Sequence, residues 1–191
     1  FSFNNPAGAC PTCDGLGVHQ FFDPARVVAQ PEVGLASGAI RGWDRRSMYY
    51  FQMLTSLSKH LDFDMDKPFY KLAKKIQDII LYGSGEEEIK FTYHNDQGSK
   101  YTKLQPFEGV IPNMQRRYRD TESNVVREEL TKYMSHQACP DCHGARLNRS
   151  ARHVFVLDKT LPNITSMPVG TAQEFFKTLE LPGRRGEIAD K

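Results

Sequence analysis

The sequence predicts an α+β fold in two parts: a discontinuous base held by a zinc ion, and an insertion domain of helices and a β-hairpin. Three observations lead to this prediction. Two copies of a cysteine motif lie far apart, apolar residues between them recur at helical spacing, and one short stretch alternates between apolar and polar residues. We expect the base to comprise residues 1–20 and 137–191, and the insertion domain to comprise residues 21–136.

The bulk composition is typical of a soluble globular protein. The apolar fraction is 39% and the charged fraction 25%, and no stretch approaches the roughly 20 apolar residues that span a bilayer. The first residues do not resemble a secretory signal, so we expect the protein to act in the cytosol. Because the net charge is only +2, any binding to nucleic acid must come from local basic patches.

The insertion domain is predicted to open with two amphipathic helices. Residues 47–61 and residues 68–81 both carry apolar side chains at helical spacing, and Gly83 is suited to end the second helix. Residues 89–93 then alternate, residues 95–98 offer turn chemistry and residues 100–104 can return. This pattern predicts a β-hairpin with one buried face.

The remaining elements are shorter. Helices are expected at residues 113–119 and 123–134, after breaks at proline and glycine. Residues 154–157 predict a strand, and Thr171 with Glu174 matches a capping box at the start of a further helix. The chain also begins like the interior of a strand and ends like the first turn of a helix, so we expect it to be part of a larger protein.

The four cysteines form two copies of one motif, CPTC at residues 10–13 and CPDC at residues 139–142, each followed two residues later by glycine. Two residues between thiolates let both sulfurs face one ion, and two such pairs complete the tetrahedron that zinc prefers. Residues 14–138 can fold inside such a clip, because the entropy of loop closure grows only slowly with length. The predicted ligands of one structural zinc are Cys10, Cys13, Cys139 and Cys142.

Other interpretations of the cysteines are weaker. Disulfides do not suit the expected compartment, a thioredoxin-type redox enzyme needs only one pair, and unrelated buried thiols would not duplicate their flanking residues. His136 and His143 could replace a ligand, but four thiolates already fill the shell. The sequence has no phosphate loop, nucleophile elbow or metalloprotease helix, so we predict no catalytic residue.

Basic residues predict a contact with double-stranded DNA. The guanidinium fork of arginine fits phosphate oxygens; a single exposed arginine is ordinary, but two clusters are not. The predicted DNA contacts are Arg41, Arg45 and Arg46 around Trp43, Arg116, Arg117 and Arg119 around Tyr118, and Lys100 and Lys103 on the hairpin. A protein-docking surface is the alternative, since Trp43, Tyr49, Tyr50 and Phe51 would suit one.

Five segments carry a resemblance to a known family: FSFNNPAGACPTCDGLG at residues 1–17, GAIRGWD at 38–44, PFEGV at 106–110, EEL at 128–130 and CPDCHGARL at 139–147. They resemble the UvrA family, the damage-sensing ATPase subunit of bacterial nucleotide-excision repair. The chain is similar to the insertion domain and flanking zinc module of the first ATPase half. A DnaJ-type cysteine-rich module is a weaker match, because it needs four closely spaced copies of the motif.

The resemblance implies an ABC-type ATPase that binds DNA and acts with UvrB. The ATP-binding loop, the signature motif and the UvrB-binding domain all lie outside the present sequence, so ATP hydrolysis is expected only of the longer protein. In the family another Cys-Pro-x-Cys pair precedes the segment that matches residue 1. The partner of Cys10 and Cys13 is therefore either that pair or the pair Cys139 and Cys142.

Overall fold

The computed structural model describes residues 2–94 and 99–189, and the chain divides into two compact units. The first, called here the cysteine unit, consists of Phe1–Gln20 and His136–Lys191. The second, the helix-hairpin unit, consists of Phe21–Ser135.

Nine helices and six strands occur among the described residues. In chain order they are β1 Val18–Phe22, α1 Pro24–Val27, α2 Met48–Leu61, α3 Lys74–Tyr82, β2 Glu88–His94, β3 Lys100–Pro106, α4 Val110–Asp120, α5 Asn124–Thr131, β4 Met134–Ala138, α6 Arg149–Arg152, β5 Phe155–Val156, β6 Lys159–Thr160, α7 Leu161–Thr165, α8 Val169–Lys177 and α9 Arg184–Ala189. The strands form three two-stranded sheets, β1 with β4, β2 with β3, and β5 with β6. This mixture of helices and small sheets confirms the predicted α+β class.

One hydrophobic core fills the helix-hairpin unit. Helix α2 packs on β2, α3 on α4, and α4 on α5. Trp43, Phe91 and Phe107 are its largest fully buried side chains, and Phe107 lies 6.2 Å from each of the other two rings, measured between centroids. This core requires no side chain from the cysteine motifs.

The predicted hairpin is confirmed in its two strands. Strands β2 and β3 pair antiparallel from Glu88 opposite Pro106 to His94 opposite Lys100. Side chains alternate between buried and exposed along β2, as expected, whereas β3 is exposed along nearly its whole length. Helix α2 packs on β2. The predicted turn at residues 95–98 lies outside the described residues.

Polar side chains of α2 bind the edge of β2 that β3 leaves open. Ser56 Oγ accepts a hydrogen bond from the N–H of Thr92 at 3.0 Å. The side-chain amide of Gln52 accepts from the N–H of His94 at 2.7 Å and donates to the His94 carbonyl at 3.2 Å. These bonds satisfy backbone groups that would otherwise be left without partners in a sheet edge.

Two helix boundaries in this unit differ from the prediction. The expected helix at 68–81 is interrupted, because Pro68 and Leu72 are extended and only a short 3-10 turn, Phe69–Lys71, separates them. Gly83 ends α3 as predicted, with φ of 103°. Helix α4 begins three residues before the predicted start, because Pro112 falls in the first turn, where its missing N–H is not needed.

Further differences occur toward the carboxyl end. The helix expected at 123–134 ends at Thr131, and Met134 begins β4 instead. The predicted strand at 154–157 is only two residues long. The capping box predicted at Thr171 was wrong: α8 begins at Val169 after Pro168, which fixes φ for a helix start but has no side chain to cap it.

The amino end also differs from its prediction. Residues 2 and 3 lie in coil and a turn, because the Ser2 carbonyl accepts a local hydrogen bond from the N–H of Asn5 at 3.3 Å.

The cysteine unit has a much smaller apolar interior. Apart from the four cysteines, its buried apolar residues in the described part of the chain are Leu147, Ala151 and Ile164. Helix α8 has no buried residue at all. The cysteine cluster is therefore the main buried assembly of this unit.

Candidate metal centre and nucleic-acid interface

The four cysteine side chains of the cysteine unit converge on one point. The Sγ atoms of Cys10 and Cys139 lie 4.0 Å apart, and those of Cys13 and Cys142 lie 3.7 Å apart. All four sulfurs lie within 4.8 Å of one another, and each cysteine is at most 6% exposed. In the described part of the chain, this is the one group of cysteine, histidine or acidic residues found in such an arrangement.

The arrangement fits a tetrahedral metal ion. With zinc–sulfur bonds of about 2.3 Å, the edges of a tetrahedral site are about 3.8 Å long, close to both separations given above. A disulfide requires sulfurs about 2.05 Å apart, and all four cysteines are free thiols. Zinc bound here would act as a structural crosslink, because four sulfur ligands leave no position for water or substrate.

Both copies of the motif use the same unusual backbone conformation. Asp14 and Gly15 have φ of 48° and 77°, and His143 and Gly144 have φ of 51° and 88°. Two successive residues at positive φ turn the chain sharply after the second cysteine, and glycine adopts this region without steric cost. The glycine that follows each pair in the sequence therefore has a structural role.

Reciprocal backbone hydrogen bonds join the two copies. Cys10 donates its N–H to the carbonyl of Arg146 at 3.0 Å, and Cys139 donates its N–H to the carbonyl of Gly17 at 2.9 Å. Gly17 and Arg146 occupy the same position in their copies, the seventh residue after the first cysteine. The pairs thus face each other with approximate two-fold symmetry.

Cys10 and Cys139, the first cysteine of each pair, have thiols of different pKa. Burial raises the pKa of the Cys10 thiol to about 12. The pKa of Cys139 is lowered to about 7, chiefly because the backbone N–H of Cys142, and next that of Asp141, stabilise its thiolate. Since metal ligation requires thiolates, binding of zinc would release protons from the more basic thiols.

Asp141 and Arg152 support the cluster, and the sequence analysis did not identify them. An Asp141 carboxylate oxygen accepts hydrogen bonds from Cys10 Sγ at 3.5 Å and from Thr12 Oγ1 at 3.2 Å. Arg152 donates to the Asp141 carbonyl at 2.7 Å. The position of Asp141 inside the motif was a usable signal, whereas no sequence pattern points to Arg152.

Neither candidate histidine is part of the cysteine cluster. His136 is exposed and its Nε2 forms a hydrogen bond with the side-chain amide of Gln20 at 2.8 Å. His143 is exposed at the turn that follows Cys142.

The first arginine cluster surrounds a polar pocket in the helix-hairpin unit. Arg41, Arg45 and Arg46 all line this pocket, whose volume is about 410 Å³. Arg46 forms two hydrogen bonds to the buried carboxylate of Asp44, at 2.9 and 2.5 Å, and holds the pKa of Asp44 below its usual range. Arg45 forms a weaker ion pair with Asp66 at 3.6 Å.

Two arginines of the second cluster bind neighbouring carboxylates. Arg116 forms a bidentate pair with Glu108 at 2.7 and 3.0 Å, which lowers the pKa of Glu108. Arg119 contacts Asp120 at 3.0 Å. Much of the charge of these two side chains is therefore compensated within the chain.

The structure brings one arginine from each cluster to a common cavity. Arg41 and Arg117 both line a cavity of about 270 Å³ beside Trp43, together with apolar side chains of α4 and α5 and with Glu129, which pairs with Lys132. The Arg117 guanidinium lies 5.8 Å from the centre of the Tyr50 ring. Among residues 2–94 and 99–189, neither arginine forms an ion pair.

The predicted lysines lie on opposite faces of the hairpin. Lys100 is opposite His94 and Lys103 is opposite Phe91 in the register of β2 and β3. Both are exposed. Only Lys103 shares the face that carries the aromatic side chains of β2.

The fold and the site define an α+β protein that combines a four-cysteine centre with an aromatic helix-hairpin unit that carries two arginine clusters. The family model described as the UvrA DNA-binding domain matches residues 23–132, which is more than half of the chain. The protein belongs to this family, and the match lies wholly within the helix-hairpin unit.

Relatives extend over the whole chain. UvrABC system protein A of Pseudomonas aeruginosa is 62% identical over 191 residues, and that of Vibrio cholerae is 59% identical. In each case the match covers 100% of this chain but 20% of the relative, so the chain spans about a fifth of the length of these proteins. The crystal structure of UvrA2 from Deinococcus radiodurans shares the fold, with a TM-score of 0.66 at 23% identity, over 100% of this chain and 25% of that one.

Among the described residues, no helix has the length and apolar character needed to cross a membrane.

Proposed function

We propose that this chain is a non-catalytic, DNA-contacting part of the damage-recognition ATPase subunit of nucleotide-excision repair. Residues 21–136 act as an insertion domain that binds duplex DNA of any sequence, and residues 1–20 with 137–191 act as a zinc-stabilised base. The zinc ligands in this proposal are Cys10, Cys13, Cys139 and Cys142. ATP hydrolysis and the contact with UvrB belong to the longer protein.

The convergence of Arg41 and Arg117 on one cavity carries the proposal of DNA contact. The two side chains come from separate sequence clusters, and the one carboxylate that lines the same cavity, Glu129, is paired with Lys132. Cations without a carboxylate partner attract phosphates more strongly than cations paired with carboxylates. Arg46, Arg116 and Arg119 contribute less, because each holds a carboxylate partner. Binding to backbone phosphates does not depend on base sequence.

The test is a double variant, Arg41→Gln with Arg117→Gln, in which duplex binding is measured by fluorescence anisotropy from low to moderate salt. Each lost phosphate contact should reduce the slope of log affinity against log salt by about 0.9, so the double variant should lose about 1.8. Several unrelated duplex sequences should give the same result.

A matched control removes two exposed charges elsewhere in the same unit, through Lys67→Gln with Lys75→Gln. This variant should retain the slope of the parent chain. If both double variants change the slope equally, binding reflects overall charge. If neither changes it, the DNA contact lies outside the Arg41–Arg117 cavity.

Protein docking is the second candidate, because Val125, which is 71% exposed, lines the same cavity. Stable capture of UvrB by the chain without DNA, lost in a Val125→Asp variant, would favour docking. A thiol redox activity is disfavoured, since the buried cysteines offer no sulfur to an external disulfide.

A further inference from the structure

Three tyrosines form a continuous stack where the amino end of α2 meets the hairpin. The ring centroids of Tyr49 and Tyr93 are 5.3 Å apart with 11° between the ring planes, and those of Tyr93 and Tyr101 are 5.0 Å apart with 20° between the planes. We call Tyr49, Tyr93 and Tyr101 the tyrosine stack. Such nearly parallel rings are typical of offset aromatic stacking.

The middle of the stack is fixed and its two ends are open. Tyr93 is 4% exposed, whereas Tyr49 is 53% and Tyr101 is 55% exposed. Directly opposite positions in an antiparallel pair share one face of the sheet, and Tyr101 is opposite Tyr93 in the register. The two hydrogen bonds between Gln52 and His94 hold α2 against β2 beside the stack, so the helix that carries Tyr49 is attached to the strand that carries Tyr93.

The stack lies between the arginine cavity and Lys103 of the hairpin. Tyr50 contacts Tyr49 edge-on at 5.3 Å and carries the Arg117 guanidinium over its ring. At the other end, Lys103 lies two residues from Tyr101 on the same strand face. Exposed aromatic rings flanked by cations are the combination that binds single-stranded nucleic acid, because bases stack on the rings while cations contact the phosphates.

We propose that the tyrosine stack is a binding site for unpaired bases of DNA, with Tyr101 as the principal stacking surface and Lys103 as its phosphate contact. The inference deepens the proposed function, because it adds a second kind of contact to duplex binding through Arg41 and Arg117. An unpaired base has an exposed π-face that can extend the stack, whereas a base within a duplex has none. The chain should therefore prefer duplexes that contain unpaired bases over fully paired ones.

The first test compares Tyr101→Ala with the parent chain on three probes: a perfect duplex, the same duplex with six mismatched thymines at its centre, and oligo(dT). Loss of one base–aromatic contact should weaken binding to the mismatched duplex and to oligo(dT) at least fivefold. Binding to the perfect duplex should change less than twofold. Tyr101→Trp should restore the preference, since the larger ring also stacks.

Leu104→Ala is the matched control, because Leu104 is 61% exposed on the opposite face of the same strand. It should leave binding to all three probes unchanged. Equal losses in both variants would show that any truncation of β3 perturbs the hairpin, and would overturn the assignment to Tyr101.

A second measurement does not depend on any variant remaining folded. The mismatched duplex is prepared with 5-iododeoxyuridine at the unpaired positions, irradiated with the parent chain and analysed by mass spectrometry. Crosslinks at Tyr101 or Tyr49 support the site, and crosslinks confined to other residues overturn it.

The two proposals can fail separately. If the chain binds the perfect duplex and Tyr101→Ala affects no probe, the tyrosine stack only braces the hairpin and duplex binding still stands. If the chain binds oligo(dT) through Tyr101 but does not bind the perfect duplex, the proposed function fails and the stacking site stands.

Discussion

Gly15 and Gly144 occupy the same position in the two cysteine motifs but have different surroundings. Both have positive φ, 77° and 88°. A Cβ atom at Gly15 would overlap the carbonyl oxygen of Phe3, whereas a Cβ atom at Gly144 would meet nothing within 4 Å. The two positions therefore separate the cost of backbone strain from the cost of steric overlap.

We expect Gly15→Ala to destabilise the cysteine unit much more than Gly144→Ala. The strain of an alanine at positive φ costs about 1 kcal/mol, and this applies to both variants. Gly15→Ala must also displace the chain at Phe3, so its metal affinity should fall further. Competition with a chromophoric chelator measures both affinities, and equal values would contradict the crowding seen at Gly15.

One zinc ion should be present per chain, and Cys139→Ser should abolish its binding. Because the cysteine unit has few buried apolar residues besides its cysteines, loss of the metal should unfold this unit. Trp43, the only tryptophan in the sequence, lies in the core of the helix-hairpin unit. Its fluorescence emission should therefore remain that of a buried indole. Elemental analysis measures the zinc content, and tryptophan fluorescence reports on the helix-hairpin unit. A folded, zinc-free chain with four freely reactive thiols would contradict the prediction of one bound zinc.

Asp44 should make stability depend on pH in the acid range. Its pKa is lowered from 3.8, first by hydrogen bonds from Arg46, so its contribution is present above pH 3.8 and is lost as the pH falls through the lower folded value. Asp44→Asn should reduce the free energy of unfolding by about 1 to 3 kcal/mol at pH 7, and the difference should shrink below pH 3.8. Urea titrations at several pH values measure this difference.

Asp78→Asn is the control for that series, because Asp78 pairs with Lys74 on the exposed surface of α3 and should change stability little at any pH. A difference between Asp44→Asn and the parent chain that stays constant from pH 7 to pH 2 would rule out the proposed protonation.

Ser56→Ala should loosen the contact between α2 and the hairpin. The N–H of Thr92 would lose its acceptor, at a cost of about 1 to 3 kcal/mol for an unsatisfied, partly buried group. Hydrogen exchange at the Thr92 amide should accelerate accordingly. Ser47→Ala is the comparison, because Ser47 precedes α2 without making a side-chain capping bond; if it accelerates that amide as much, the effect does not arise from the Ser56 hydroxyl.

The local patterns of the sequence predicted the elements that depend on near neighbours. Helix α2 and strand β2 were predicted from the spacing of their apolar residues. Each spacing places the apolar side chains on one face of the element, whatever other elements pack against that face. The spacing within each cysteine pair is likewise local, whereas the approach of the two pairs to each other is visible only in the structure. Helix starts were predicted less reliably beside proline, because its fixed φ suits both an extended segment, as at Pro68, and the first turn of a helix, as at Pro112.

The sequence by itself thus determined the fold class, the family resemblance and the four candidate metal ligands. Only the tertiary structure decided which cations are paired with carboxylates, for example Arg116 with Glu108. It also decided that Arg41 and Arg117 line one cavity and that Tyr49 stacks on Tyr93. The last two relationships join segments that are distant in the sequence, and no local periodicity encodes how such segments meet.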